Sequence, residues 1–190
     1  KLIKLVKVAA RDELLTDFSV SDFEYKEDGS VVTSADIAMQ ARLERDLRHL
    51  WPMYEILGEE MPEQAQLSVI EYAAAGEDRG YWCIDPLDGT NNFIAGLPFF
   101  AVSIALIINA QQQLGLVYDP VRDEMFTAIR GQGAFLNGEK IDHSSLKSCG
   151  CKPVMAEIDL MRLPRALAVR LLTENIFASQ RNIGSSALDW

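Results

Sequence analysis

Two aspartates, Asp85 and Asp88, are the side chains of this sequence best suited to binding a metal ion. An apolar run ending at Ile84 precedes them, and Gly89 and Thr90 follow, a pattern that predicts a strand ending in a tight turn. Hard cations such as Mg²⁺ prefer clustered oxygen ligands and also bind water and substrate phosphate. If a helix begins after the turn, its first N–H groups face a phosphate. The segment therefore predicts a divalent-cation site that also binds phosphate.

Two further acidic positions precede this segment. Asp36 lies on the apolar stripe of a predicted helix that continues through Met39 and Leu43, where a carboxylate is costly unless it is paired or functional. The alternative for Asp36 is a structural role in the first helical turn, with a favourable helix dipole. Glu59 and Glu60 end a short predicted strand, and the alternative there is a solvated acidic turn.

Hydrophobic spacing predicts the elements that position these side chains. Helices are predicted at residues 1–18 and 164–174. A further helix is predicted to begin within residues 31–36 and to end at residues 51–52. Strands are predicted at residues 54–57, 81–84, 99–108, 114–118, 124–129, 133–136, 153–158 and 180–183. Residues 19–32 and 92–98 are predicted as connections, and residues 61–80 as a loop or short helix. The pattern predicts an α+β metal- and phosphate-binding region over residues 1–148, followed by the start of an α/β substrate-side region over residues 149–190.

Composition excludes several classes of function. The net charge of −10 without a basic cluster argues against a nucleic-acid partner, and no apolar run reaches the length of a membrane span. Cys83, Cys149 and Cys151 give no disulfide framework, and with no signal-peptide pattern at the start this predicts a cytoplasmic protein. His49 and His143 lie in no ligand pattern, which argues against a zinc site or a serine–histidine triad.

Six segments of the sequence are informative through their order, and they lie at residues 32–36, 58–60, 82–93, 98–104, 131–138 and 184–189. Together they resemble the inositol monophosphatase family, over nearly the whole chain. The resemblance implies a layered αβαβα sugar-phosphatase-like fold whose second α/β region is incomplete here. It also implies Mg²⁺-dependent hydrolysis of inositol 1-phosphate, or of a similar polyol or sugar phosphate, by water that the metal activates.

The resemblance implies a role for individual residues. These are Glu59, Asp85, Asp88 and the carbonyl of Leu87 for two or three Mg²⁺ ions; Asp36 and Thr90 for orienting and deprotonating the attacking water; Gly89 and Thr90 for phosphate; and Gly184, Ser185 and Ser186 for the alcohol part of the substrate. Lys26 matches a family lysine only loosely and is not included.

Alternatives within the resemblance remain open. A bisphosphate nucleotidase or a fructose bisphosphatase is a second enzymatic interpretation, although Asn91 and Asn92 favour the inositol monophosphatase branch. A non-catalytic regulatory module is a third, since some bacterial relatives act in transcription antitermination complexes. The family's later tryptophan–aspartate element, which completes the second metal site, is absent from residues 1–190, so we expect the chain to be a fragment. The resemblance also implies a small-molecule phosphate substrate and a homodimer.

Overall fold

The computed structural model describes residues 1–19, 22–26, 29–76, 78–142, 155–160, 163–174 and 177–188. In these residues the helices are α1 (Leu2–Glu13), α2 (Ser34–Leu50), α3 (Glu63–Ala74), α4 (Thr90–Ile94) and α5 (Arg165–Thr173). The strands are β1 (Phe23–Tyr25), β2 (Val31–Thr33), β3 (Glu55–Gly58), β4 (Gly80–Asp88), β5 (Ala101–Ile108), β6 (Gln111–Asp119), β7 (Glu124–Ile129), β8 (Gly133–Leu136), β9 (Glu139–Lys140), β10 (Met155–Glu157) and β11 (Ser179–Arg181). This combination of helices and strands agrees with the predicted α+β class.

The chain divides into two compact units. The first contains Lys1–Ile141 and Ser185–Leu188, and the second contains Asp142–Gly184. In the second unit β10 and β11 pair in parallel, and α5 lies between them in the chain. The predicted regional boundary near residue 148 stays a prediction, because residues 143–154 lie outside the described residues.

One seven-stranded sheet dominates the first unit, in the order β3-β4-β5-β6-β7-β8-β9. Every neighbouring pair is antiparallel except β3 and β4, which run parallel. A parallel pair cannot be joined by a tight hairpin, and the connection here contains α3. As a result, the chain leaves β3 and β4 at the same end of the sheet.

The hydrophobic core lies against this sheet. Met39, Leu43 and Leu47 of α2 are fully buried at the predicted spacing of four residues. Trp82 and Ile84 are alternate residues of β4 and belong to the same buried cluster. This packing fixes α2 relative to the end of β4, where the predicted metal ligands begin.

Two connections are more structured than the sequence predicts. Residues 19–32 contain the β1–β2 hairpin, and residues 92–98 begin inside α4. Residues 61–80 contain α3, which is the helical one of the two predicted alternatives. Strand β4 does not end at Ile84: its pairing with β5 continues to Asp88, with a register shift between Asp85 and Asp88. A shift of this kind inserts extra residues into one strand, so a segment that resembles a turn remains part of the sheet.

Two sequence-based observations cannot be compared with the structure, because Cys149, Cys151 and His143 lie outside the described residues. Among the helices of the described part of the chain, none is long and apolar enough to cross a membrane.

Candidate active site

The N-terminus of α2 holds Asp36 in place. Thr33 is the N-cap, and its hydroxyl oxygen accepts the N–H of Asp36 at 3.3 Å. In return, Asp36 Oδ2 accepts the N–H of Thr33 at 2.8 Å and its hydroxyl at 2.5 Å, which completes a capping box. Both residues are 1% exposed. The structural interpretation of Asp36 is therefore correct, but it uses only one of the two carboxylate oxygens.

The other oxygen of Asp36 faces Thr90. The Thr90 hydroxyl lies 3.1 Å from Asp36 Oδ1 and 3.0 Å from the carbonyl oxygen of Leu87. Burial raises the pKa of Asp36, while the hydrogen bonds from Thr33 and Thr90 lower it in part. Two residues that are 54 positions apart in the sequence thus form a hydroxyl–carboxylate pair in a mostly buried environment.

Thr90 owes its position to the turn before it. Gly89 is the N-cap of α4 and has φ 95°, a left-handed conformation that is costly for residues with a Cβ atom. Thr90 is the first residue of α4, and Phe93 anchors the short helix in the core with no exposed surface. The first N–H groups of a helix have no partner within the helix, so the local geometry suits the predicted phosphate contact of Gly89 and Thr90.

The predicted metal-binding acids lie at the carboxyl ends of the parallel strands. Gly58 pairs with Ile84, and the N–H of Glu59 extends the ladder by donating to the carbonyl of Ile84 at 3.1 Å. The next residue of β4 is Asp85, whose Oδ1 accepts the N–H of Leu87 at 3.1 Å. Strand pairing thereby brings together two acids that are 26 residues apart in the chain.

The ionisation of Asp85 reports crowding among these acids. Burial, followed by the charges of Glu59 and Asp88 and a hydrogen bond with Glu59, raises the pKa of Asp85 from 3.8 to about 8. Without a cation, burial and the neighbouring negative charges favour the protonated form of the Asp85 carboxyl group. A site with this charge excess and with carboxylate donors matches the chemistry that Mg²⁺ prefers.

Each of the three acids also has a protein partner. Glu59 Oε1 lies 3.4 Å from Lys26 Nζ, and Asp88 Oδ2 accepts the Ser185 hydroxyl and the N–H of Ala187, the latter at 2.9 Å. Among the described residues, no group of three or more histidine, cysteine, aspartate or glutamate side chains has the arrangement of a metal cage. The acids are thus neighbours, but their carboxylates do not converge on one point.

Lys26 is a residue of this site that the sequence interpretation left out. Its Nζ lies 2.7 Å from Glu60 Oε1 as well as near Glu59. Burial lowers the pKa of Lys26, but the hydrogen bond to Glu60 and the charge of Glu59 outweigh burial and raise the pKa overall. Its loose match to a family lysine was the one signal in the sequence.

The predicted substrate-side residues have different positions. Ser185 is fully buried against Asp88, and Ser186 is exposed. Gly184 belongs to the second unit and has φ 85°. The structure therefore connects Ser185 to the acids, while the contact of all three residues with an alcohol stays a prediction.

Comparisons with known proteins identify sequences and structures that are similar to this chain. The profile described as "Inositol monophosphatase family" matches residues 1–190. Inositol monophosphatase 1 of Bos taurus is 31% identical over 166 residues, which are 84% of this chain and 57% of that protein. Nus factor SuhB of Escherichia coli (strain K12) is 37% identical over 162 residues, which are 83% of this chain and 57% of that protein.

The solved structure of a Thermotoga maritima IMPase has a TM-score of 0.78 at 28% identity, over 99% of this chain and 68% of that one. This similarity confirms the predicted layered αβαβα fold. The chain spans 57% of the length of the bovine and Escherichia coli relatives it matches.

Proposed function

The chain belongs to the inositol monophosphatase family, and from this premise we propose that the protein that carries it is a Mg²⁺-dependent phosphatase. Its substrate is inositol 1-phosphate or a similar polyol or sugar phosphate. The observation that carries the proposal is the 3.1 Å hydrogen bond from the Thr90 hydroxyl to Asp36, next to the acids at the ends of β3 and β4. A hydroxyl held against a buried carboxylate is suited to taking a proton from an attacking water.

The oxygen donors and the negative charge at the strand ends suit the proposed metal, although the carboxylates do not converge on one point. Glu59, Asp85, Asp88 and the carbonyl of Leu87 would hold two or three Mg²⁺ ions. The raised pKa of Asp85 supports this assignment, because it marks a concentration of negative charge that a divalent cation offsets. When bound, Mg²⁺ makes water a stronger nucleophile and stabilises charge on the leaving alcohol oxygen.

The protein's own residues position the reactants and move the proton. The water oxygen forms a bond to phosphorus while the bond from phosphorus to the alcohol oxygen breaks. Thr90 passes its hydroxyl proton to Asp36 Oδ1 and takes one from the water, and the alcohol oxygen gains a proton from solvent. Because burial raises the pKa of Asp36, this carboxylate is a stronger proton acceptor than an exposed one. The N–H groups of Gly89 and Thr90 donate to phosphate oxygens.

The alcohol part of the substrate is proposed to lie along Gly184, Ser185 and Ser186. Ser185 belongs to the proposed alcohol contact and also touches a proposed metal ligand. Its hydroxyl donates to Asp88 and so restricts the direction of that carboxylate. Orientation of this kind is the main contribution that a protein makes to phosphoryl transfer.

The test is phosphate release by the full-length protein with inositol 1-phosphate, with and without Mg²⁺. Parallel assays with a 3′,5′-bisphosphate nucleotide and with fructose 1,6-bisphosphate, compared by kcat/KM, separate the enzymatic alternatives. We expect Mg²⁺-dependent turnover that is highest with the inositol phosphate. Absence of metal-dependent turnover on all three substrates would reject the proposal.

The similarity to Nus factor SuhB of Escherichia coli favours a second candidate, a regulatory role like the one in that protein's name. The two candidates differ in their need for the acids. A cell that carries Asp88→Asn in place of the wild-type protein should show the phenotype of a deletion strain if catalysis is required. It should behave like the wild type if binding suffices. The same variant must abolish phosphate release in vitro for the comparison to be valid.

The proposal also includes a homodimer in the cytoplasm. Light scattering on the purified full-length protein tests the dimer, and fractionation of cells tests the location.

A further inference from the structure

We propose that two glutamines, Gln40 of α2 and Gln66 of α3, are positioning residues that hold the turn at residues 58–61 and thereby fix Glu59 for metal binding. We call this pair the glutamine clamp. The inference rests on the proposed role of Glu59 as a Mg²⁺ ligand. Neither glutamine binds a reacting atom, because each acts through the backbone of the turn.

Gln40 holds the turn from the side of α2. It is 7% exposed and lies one helical turn after Asp36, on the same side of the helix. Its Oε1 accepts the N–H of Glu60 at 2.9 Å, and its Nε2 donates to Glu44 Oε1 at 3.1 Å. Because a carboxylate only accepts, the contact with Glu44 directs the amide oxygen of Gln40 towards the turn.

Gly58 makes this approach possible. A Cβ atom at position 58 would lie 2.6 Å from Gln40 Oε1 and 2.7 Å from its Cδ, well inside van der Waals contact. A larger residue would therefore push the Gln40 amide away from the turn. The glycine has a structural task here that involves close approach and not a left-handed backbone.

Gln66 holds the turn from the side of α3. Its Nε2 lies 3.0 Å from the carbonyl oxygen of Gly58, 3.1 Å from that of Glu59 and 3.2 Å from that of Met61. One amide group thus serves the carbonyl oxygens of the turn, while Gln40 serves an N–H group. The two glutamines therefore provide hydrogen-bond partners for backbone groups that would otherwise need water, and they do so in one conformation of the turn.

The Glu59 side chain is 50% exposed and contacts Lys26 and, through a hydrogen bond, Asp85. Because half of this side chain faces solvent, its direction depends on the backbone turn that carries it. Residues that orient a metal ligand typically change metal affinity or activity by about 10- to 100-fold when they are replaced. The glutamine clamp is expected to act at this level.

The experiment measures Mn²⁺ binding by calorimetry in the full-length protein and its Q40L, Q66L and Q64L variants. Gln64 is exposed on the same helix as Gln66 and serves as the matched control. We expect Q40L and Q66L to weaken Mn²⁺ binding by about tenfold, the lower end of the effect of such residues, and Q64L to bind like the wild type. The double variant Q40E/E44Q exchanges the carboxylate and the amide, restores an acceptor for Glu60, and should recover most of the lost affinity.

Hydrogen exchange of the Glu60 amide gives a readout that does not involve metal. We expect this amide to be protected in the wild type and in Q40E/E44Q, and to exchange faster in Q40L. If Q40L does not fold, Q66L and the double variant carry the test.

Unchanged Mn²⁺ affinity in folded Q40L and Q66L would overturn the clamp. Loss of affinity in Q64L to the same extent would also overturn it, because the effect would then be non-specific. A wild-type protein that binds no Mn²⁺ would refute the metal role of Glu59, and the proposed function with it. In that case protection of the Glu60 amide would still show whether the turn is held as described.

Discussion

The two oxygens of Asp36 have separate tasks. Oδ2 closes the capping box with Thr33, and Oδ1 accepts the Thr90 hydroxyl. A side chain used only for capping would leave one oxygen to solvent or to other backbone groups. The division explains why an acid can occupy the apolar stripe of α2 without a cationic partner among the contacts described above.

Replacing Asp36 with asparagine should remove the proton acceptor and preserve the shape of the side chain. We expect kcat of the full-length protein to fall by at least about 100-fold, the usual contribution of a general base, with a smaller change in the Mg²⁺ concentration for half-activation. Asp46→Asn on the same helix removes the ion pairs with Arg42 and Arg45 and is the control. Wild-type kcat in the Asp36 variant would show that the carboxylate has no role in the reaction.

The acidity of Asp85 predicts a pH-dependent stability. Its pKa is about 8 in the folded, metal-free protein and 3.8 in the unfolded reference, so the folded state favours the protonated form. The contribution of Asp85 to the free energy of unfolding is therefore largest below pH 3.8 and falls as the pH rises towards 8. Mg²⁺ should consequently stabilise the protein more at pH 8 than at pH 5.

Urea unfolding with EDTA and with Mg²⁺, at both pH values, checks this expectation. Asp85→Asn should reduce the pH dependence and most of the stabilisation by Mg²⁺. An equal effect of Mg²⁺ at the two pH values would contradict the assignment.

Sequence spacing could identify the acids, but it could not identify their partners. Asp85 and Asp88 are recognisable because their neighbours in the chain have a distinctive order. Gln40 and Lys26 meet the turn at residues 58–61 through contacts between residues 20 to 34 positions apart. No local pattern marks such residues, since their role depends on how α2 and the β1–β2 hairpin approach the turn.

The β1–β2 hairpin is an element whose importance exceeds its size. Its three-residue strands are exposed along β1, yet the hairpin carries Lys26 directly after β1 and Thr33 at the end of β2. One short element thus supplies a cation next to Glu59 and the capping residue of Asp36. Its brevity and exposure explain why hydrophobic spacing did not predict it.

Lys26→Met tests how far the lysine offsets the negative charges of Glu59 and Glu60. Without the ammonium group, the repulsion between Glu59 and Glu60 is no longer offset. We therefore expect the free energy of unfolding of the metal-free protein to fall by about 1 kcal/mol, as for a favourable surface pair. The rise in Tm on adding Mg²⁺ should be larger than in the wild type, because the metal then supplies the missing positive charge. Lys4→Met, at an exposed position of α1, is the control. A smaller Mg²⁺ effect in the Lys26 variant would mean that the lysine assists metal binding.

Long or strongly patterned elements were the ones that sequence could predict. The predicted strands at residues 124–129 and 133–136 coincide with β7 and β8, and Met39, Leu43 and Leu47 of the predicted α2 stripe are buried. The continuation of β4 to Asp88 was not predicted, because proline and glycine near two aspartates are typical of a turn. Pairing with β5 overrides this local preference.

For the molecule as a whole, one helix, α4, belongs to both the core and the candidate site. Phe93 packs against Phe18 and Phe100, with ring centroids 5.7 and 5.1 Å apart, and it lies three residues after Thr90. Burial of this cluster therefore fixes the helix that presents the Thr90 hydroxyl. Stability and catalysis are expected to decline together when the cluster is disturbed.

Phe93→Ala should lower the free energy of unfolding by about 3–5 kcal/mol, the usual cost of emptying a buried aromatic site. Urea unfolding of the metal-free protein gives this value directly. Leu97→Ala, at a position 46% exposed, is the control and should change stability little. A similar loss in both variants would mean that the aromatic cluster is not a special support of α4.

The parallel pairing of β3 and β4 has a consequence for how this site can diverge. Hydrogen bonds between the two strands, together with the contacts of Gln66, set the separation of Glu59 and Asp85, and the rest of the connecting segment does not. Residues 67–79 can therefore gain or lose length over evolutionary time while the spacing of the two carboxylates is inherited unchanged. Relatives whose segments between these two strands differ in length can share one arrangement of acids.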